Sequence, residues 1–266
     1  MARAAVVDLD GTVLRGETLL PGARDAMADI RAATERVLFV TNNPTVPPDA
    51  YAARLRGLGV EATAAEIVTA GAAAVAYLRE NHPDAAVYPI AGEPVVAQLR
   101  DGDVSLTDDP AAADAVVAGY DESFGYADLV AALRAFDGRE GVAFVGTDPD
   151  RAIPSEDGPI PGSGAIVRAV AGVTGREPDV VLGKPSRETA ELVLERLDVP
   201  ASECIVVGDN PATDIALGER VGMTTVRVRT GVADADGPKP DHIVGSLADA
   251  VSLFEAAGGP SDDPRK

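Results

Sequence analysis

Short apolar runs alternate with amphipathic stretches along the whole chain. Ala4 to Val7 is uninterrupted apolar sequence, partly β-branched, and it ends in Asp8-Leu9-Asp10-Gly11-Thr12. Such a run reads as a strand buried on both faces of a parallel sheet, with polar groups at its carboxyl end. Gly22 to Ala33 fits a helix, and Arg36 to Val40 fits a second strand closed by Thr41-Asn42-Asn43-Pro44. Two helices are expected over Asp49 to Leu58 and Ala64 to Arg79. A second set of strands and helices covers Ala86 to Ile90, Pro94 to Leu99, Ala115 to Gly119, Tyr126 to Phe136 and Val142 to Val145. A Pro/Gly-rich loop over Ile153 to Gly164 then leads to a helix over Ala165 to Val173. Buried strands return at Val180 to Leu182, Ile205 to Val207 and Thr224 to Val228, with helices near Arg187 to Leu197, Thr213 to Val221 and Leu247 to Ala257. The polar tail from Gly258 to Lys266 is expected to fray. Alternation of this kind predicts an α/β protein with parallel sheets.

Four polar clusters close apolar strands: Asp8 to Thr12, Thr41-Asn42-Asn43, Gly183-Lys184-Pro185, and Gly208-Asp209-Asn210 leading to Thr213-Asp214. Ligands of open α/β sheets bind beyond the carboxyl ends of the strands. Asp8 and Asp10 are two apart, so an extended backbone would point both to one side. Paired carboxylates repel unless a divalent cation joins them or one keeps a proton. Each cluster alone also fits plain structure: an acidic turn, a Pro-closed turn, a strand exit with a solvated lysine, or a helix cap. Four of them on one sheet edge point to a single site. Other motifs carry less. Gly162-x-Gly164 is followed by Val167 where a dinucleotide loop needs glycine, and Pro178 stands where a P-loop before Lys184 would have its first glycine. His82 and His242 read as loop residues, and with one cysteine, Cys204, no zinc set is foreseen.

The order DxDGT, TNN, GKP and GDxxxTD resembles the haloacid dehalogenase (HAD) superfamily of aspartate-based phosphatases. The long insert between the second and third motifs resembles its NagD-like, p-nitrophenylphosphatase-like branch (subfamily IIA). Leu20-Pro21-Gly22-Ala23, Gly146-Thr147-Asp148-Pro149-Asp150, Ile160 to Gly164 and Thr230-Gly231-Val232 agree with that branch. One departure is Asp148, where the branch commonly has Asn. The resemblance implies a Rossmann-like parallel-sheet core over 1–76 and 182–266, with an inserted α/β cap over 77–181. It implies Asp8 as nucleophile, forming an aspartyl-phosphate, and Asp10 as general acid and then base. Thr41 would bind a phosphate oxygen, and Lys184 would neutralise charge on Asp8 and the transferring group. Main-chain amides around Leu9 to Gly11 and at Asn42 would add donors, and Asn43 could face substrate. Mg²⁺ would be held by the Asp8 carboxylate, the Asp10 main-chain carbonyl and the Asp209 carboxylate, with Asp214 acting from behind through water or Lys184. An aspartate at position 10 favours phosphatase over dehalogenase, because attack at carbon needs no acid for an alkoxide. The expected reaction is hydrolysis of small phosphomonoesters. A phosphotransferase, or a non-catalytic module binding phospho-ligands, remains open on the same fold.

The net charge of −20 argues against nucleic acid and anionic membranes as partners. The expected cap is the most one-sided part, with 19 acidic residues against seven arginines and no lysine between Ala76 and Val181. Only Lys184, Lys239 and Lys266 are lysines. Few lysines, many aspartates and an alanine-rich core together look like adaptation to high salt; a mesophilic acidic protein from a high-GC genome is the other reading. No apolar stretch approaches a membrane span, and the amino-terminal residues run straight into the first strand. The expected location is therefore cytoplasmic. An edge strand of the insert leaves a homodimer open.

Overall fold

The computed structural model describes residues 2–153, 157–232 and 236–256. The expected fraying of 258–266, and part of the 153–164 loop, lie outside the described residues. The chain divides into two compact units, one of residues 1–41, 49–68 and 190–266, the other of residues 42–48 and 69–189. This division assigns the helix Ala70–Asn81 and the Gly183-Lys184-Pro185 segment to the second unit, whereas the sequence expectation cut the chain at 76 and 182.

The first unit carries a six-stranded sheet, parallel over its first five strands in the order that follows. Its order is His242–Val244, Thr224–Val228, Cys204–Gly208, Ala4–Asp8, Arg36–Thr41, Ile67–Thr69. Ala4–Asp8 sits centrally and is buried along its whole length, as its unbroken apolar run requires. Val6, Leu38, Val40, Val68, Val193, Leu197, Val206 and Met223 form one core with it. Register fixes what emerges at the carboxyl edge. Asp8 lies opposite Val40, Val7 opposite Val207, and Gly208 opposite Arg227. Asp8 therefore ends its strand at the level of Val40 and Gly208, and Thr41 and Asp209 follow one residue further along. The first strand leads to a neighbour on one side while Cys204–Gly208 flanks it on the other. That is the topological switch point at which such sheets bind ligands.

The second unit carries a four-stranded parallel sheet in the order Val180–Val181, Ala143–Gly146, Ala115–Ala118, Val87–Ile90. Ile90, Val116, Ala118, Phe136, Phe144, Ile166 and Val170 fill one face. Ala74, Leu78, Val87, Leu99, Val117, Val145 and Leu182 fill the other. The α/β class with parallel sheets is as expected, but the Gly183-Lys184-Pro185 cluster follows Val180–Val181 of this second sheet, so the four clusters expected on one sheet edge do not share one sheet.

Several local expectations need correction. Ala64 to Arg79 is not one helix: a 3₁₀ turn Ala64–Glu66, an edge strand Ile67–Thr69 and a helix Ala70–Asn81 share it. Ile-Val-Thr is β-branched, and the Thr63/Glu66 capping box before it, with the Thr69 hydroxyl capping Ala72, breaks the stretch on both sides. His242 is not in a loop but opens an edge strand, held in register by Thr225, whose main-chain N–H donates to Asp241 at 2.9 Å. The expected helix from Thr213 begins instead as a π-helical turn, Pro211–Ile215, and becomes α-helical only over Ala216–Val221. Within 153–164, Ala152–Ile153 and Ile160–Pro161 pair as a short antiparallel ladder.

Candidate active site

In the first unit, Asp8, Asp209 and Asp214 come together. All three are buried, and each offers a carboxylate oxygen within 4.8 Å of the others. Asp8 is placed by the end of the central strand and Asp209 by the end of its neighbour. Asp214 is placed by the π-helical turn, whose extra residue per turn is a frequent device at functional sites. The Asn210 N–H donates to Asp214 Oδ2 at 2.9 Å, and the Asn210 side chain caps the turn through the Ala212 N–H at 3.0 Å. Asp209 Oδ2 accepts from the Val232 N–H at 2.7 Å. The segment from Arg227 to Val232 wraps it: Arg227 donates to the Asp209 and Val232 carbonyls, and the Thr230 hydroxyl donates to the Gly11 carbonyl at 2.6 Å.

Gly11 shows why glycine follows Asp10. Its φ is +94°, and a Cβ there would lie 2.7 Å from Asp209 Oδ2. Its own N–H is already engaged with the Leu14 carbonyl at 2.8 Å. Leu9 is fully buried and its carbonyl takes the Val13 and Leu14 N–H groups at 2.9 and 2.8 Å, which folds the loop back on itself. The Asp10 side chain is exposed beyond the strand end.

Thr41 is buried at the end of its strand. Sequence reasoning missed its neighbour Tyr51, a fully buried phenol in the helix Pro48–Gly57 that shares a side-chain hydrogen bond with Thr41. Burial, then the charge of Asp10, pushes the Tyr51 pKa well up, so the phenol keeps its proton. A tyrosine on the inner face of a helix looks like any core aromatic; nothing local marks its hydroxyl. At the opposite end of the sheet, Cys204 opens its strand with a thiol that burial pushes up to about 11, which leaves it unreactive.

The second unit holds Asn42, Asn43 and Lys184. Lys184 and Asn42 are buried, and the Asn42 amide bonds the Lys184 main chain at both polar atoms. Asn43 Oδ1 accepts from the Thr45 N–H and hydroxyl, both at 2.8 Å, so that oxygen serves a local turn. Asp148 is buried with Thr147 and Asp150 around it, and burial first, then the neighbouring Asp150, pushes its carboxyl up to about 7. Among the described residues, no helix is long and apolar enough to cross a membrane.

Residues 5–105 match the family described as haloacid dehalogenase-like hydrolase, and residues 181–250 match a second HAD-hydrolase-like family. An acid sugar phosphatase from Staphylococcus epidermidis is 37% identical over 231 residues, covering 87% of this chain and 88% of that protein. The chain belongs to the haloacid dehalogenase-like hydrolases. Sugar-phosphatase AraL from Bacillus subtilis is 30% identical over 94% of this chain and 92% of its own length. The solved structure of a p-nitrophenyl phosphatase from Archaeoglobus fulgidus superimposes with a TM-score of 0.88 at 33% identity, covering 95% of this chain and 99% of that one. These HAD relatives agree with the NagD-like, p-nitrophenylphosphatase-like branch named from the motifs.

Proposed function

We propose that this protein is a Mg²⁺-dependent phosphatase of small phosphomonoesters, sugar phosphates foremost, working through an aspartyl-phosphate on Asp8. The observation that carries the reading is the convergence of three buried carboxylates at the switch point of a parallel sheet. Buried like charges at this spacing call for a cation. An all-oxygen donor set suits Mg²⁺, a hard ion that retains waters. Asp8 and Asp209 would hold it, with the Asp10 carbonyl; Asp214, also within the cluster, would be ligand or support. When bound, the ion supplies charge stabilisation to the transferring phosphoryl group.

The protein's own groups do the rest. The Asp8 carboxylate attacks phosphorus as the ester P–O bond breaks, and Asp10 gives its proton to the departing alkoxide. Asp10, now ionised, takes a proton from the water that cleaves the acyl-phosphate, returning Asp8 and releasing inorganic phosphate. Asp10 is suited to exchanging protons with solvent because it is exposed, while the buried Asp8 is not. Thr41 would donate to a phosphate oxygen, its hydroxyl oriented by Tyr51, and Lys184 would neutralise developing charge. The inserted unit would act as a cap that selects the leaving group and excludes water and macromolecules. The names of the relatives favour a sugar phosphate as substrate. The acidic surface fits work in a salt-rich cytoplasm.

The test is hydrolysis of p-nitrophenyl phosphate and a panel of sugar phosphates, with Mg²⁺ or EDTA, by wild type and Asp8→Asn. Release that needs metal and disappears in folded Asp8→Asn supports the reading. Transfer of phosphate to an added sugar, in place of free phosphate, would favour a phosphotransferase. Binding without turnover would favour a non-catalytic module.

A further inference from the structure

The buried side chain of Asn42 reaches the main chain of a residue 142 positions away with both ends of its amide. Its Oδ1 accepts the Lys184 N–H at 2.6 Å, and its Nδ2 donates to the Lys184 carbonyl at 3.0 Å. One primary amide thus holds both main-chain polar groups of a single residue, as a neighbouring strand would. Nδ2 also lies 3.5 Å from Asp150 Oδ1. The surroundings are shaped to this contact. Gly183 has φ +75°, and a Cβ there would fall 2.8 Å from Asn42 Oδ1 and 3.2 Å from the Asp148 Cβ. Asp148 in turn accepts the Asp150 N–H at 3.1 Å and the Thr147 hydroxyl at 3.2 Å, fixing the turn from which Asp150 reaches Asn42.

We propose that Asn42 is a positioning residue for the reaction, its side-chain amide clamping the backbone from which the Lys184 ammonium extends. The inference rests on the phosphatase reading, in which Lys184 neutralises charge in the transition state. A lysine stem has four rotatable carbons, so its ammonium is only as well placed as its Cα and its packing allow. Electrostatic stabilisation depends on groups already in place before charge develops. The amide supplies both a donor and an acceptor in this position: a carboxylate accepts alone, and alanine does neither.

Lysine scarcity makes the test clean. With lysines at 184, 239 and 266 only, ¹⁵N-lysine labelling gives three amide signals, and Lys184→Arg identifies the one from Lys184. In the wild type that amide is expected to exchange slowly with solvent. In Asn42→Ala its exchange should accelerate by about tenfold or more. The same variant should lose about 100-fold in kcat, the usual consequence of a small misplacement, with KM far less changed. In a Lys184→Ala background, adding Asn42→Ala should cost nothing further. Asn42→Asp keeps the acceptor and should keep the Lys184 amide slow, which provides a second variant if alanine fails to fold. Unchanged Lys184 exchange in Asn42→Ala would overturn the clamp. An undiminished kcat, or a loss just as large without Lys184, would overturn its role in positioning. A slow Lys184 amide in a wild-type protein without phosphatase activity would overturn the functional reading while leaving the clamp standing.

Discussion

Asp148 is a buried carboxyl, only 2% exposed. Burial raises its pKa from 3.8 to about 7. Between those values the folded protein holds a proton that the unfolded chain releases, so stability falls as pH rises through the window and levels off above it. Asp148→Asn removes the titrating group. Its melting temperature should match the wild type near about pH 4 and exceed it by about pH 8, by up to about 4 kcal/mol in stability at ~1.4 kcal/mol per pKa unit. A gap independent of pH would contradict this. Tyr51 makes a separate case. Tyr51→Phe keeps the buried ring and removes the hydroxyl beside Thr41, so kcat should fall roughly fivefold, the worth of about 1 kcal/mol of hydrogen bond, with the fold intact. Steady-state kinetics beside a thermal melt would check it, and an unchanged kcat would show that Thr41 needs no such support. Tyr51 was not legible as functional in the sequence, because it has the spacing of a core aromatic. Asp148 stood out in the sequence as a departure, but its titration carries meaning only once its burial is known.

At the scale of elements, the strand tips explain what could be read and what could not. Ala4 to Asp8 and Ile205 to Gly208 announced themselves because fully buried parallel strands are apolar without interruption, and polar residues after them stand out. Ile67–Thr69 did not, because three β-branched residues between alanine-rich flanks are outweighed by helix formers on either side. The Asn42 clamp left no local trace at all, since its partner is 142 residues away. The wrapping of Asp209 by Arg227 to Val232 was likewise visible only as a Thr-Gly-Val that agreed with the branch, with no sign of its partner. It yields a prediction for the loops. Gly11→Ala places a methyl group 2.7 Å from Asp209 Oδ2 at a left-handed φ, so Asp209 must shift. The Mg²⁺ concentration for half-maximal activity should rise by about tenfold or more, as it does when supports of metal ligands are lost. A magnesium titration with an unchanged midpoint would show that Asp209 is not a ligand.

For the whole molecule, the net charge of −20 is the dominant long-range fact. Like charges at this density repel in dilute buffer and are screened within a Debye length of about 3 Å in molar salt. The melting temperature should therefore climb steeply with KCl, and a melt insensitive to KCl would sink the idea of salt adaptation. The overall architecture was legible because alternation of strands and helices constrains an α/β chain strongly. The two compact units place Ala70–Asn81 in the second, whereas the sequence placed the change of surface charge near 76 and 182. Chemistry at the whole-molecule scale reduces to one claim: the phosphoryl group passes through Asp8. Rapid acid quench of the enzyme turning over a sugar phosphate, followed by peptide mass spectrometry, tests it directly. The account predicts one phosphoryl group on the peptide containing Asp8, labile to hydroxylamine, more abundant in Asp10→Asn and absent in Asp8→Asn. Turnover with no phosphorylated peptide in either wild type or Asp10→Asn, or with Asp8→Asn still active, would contradict it.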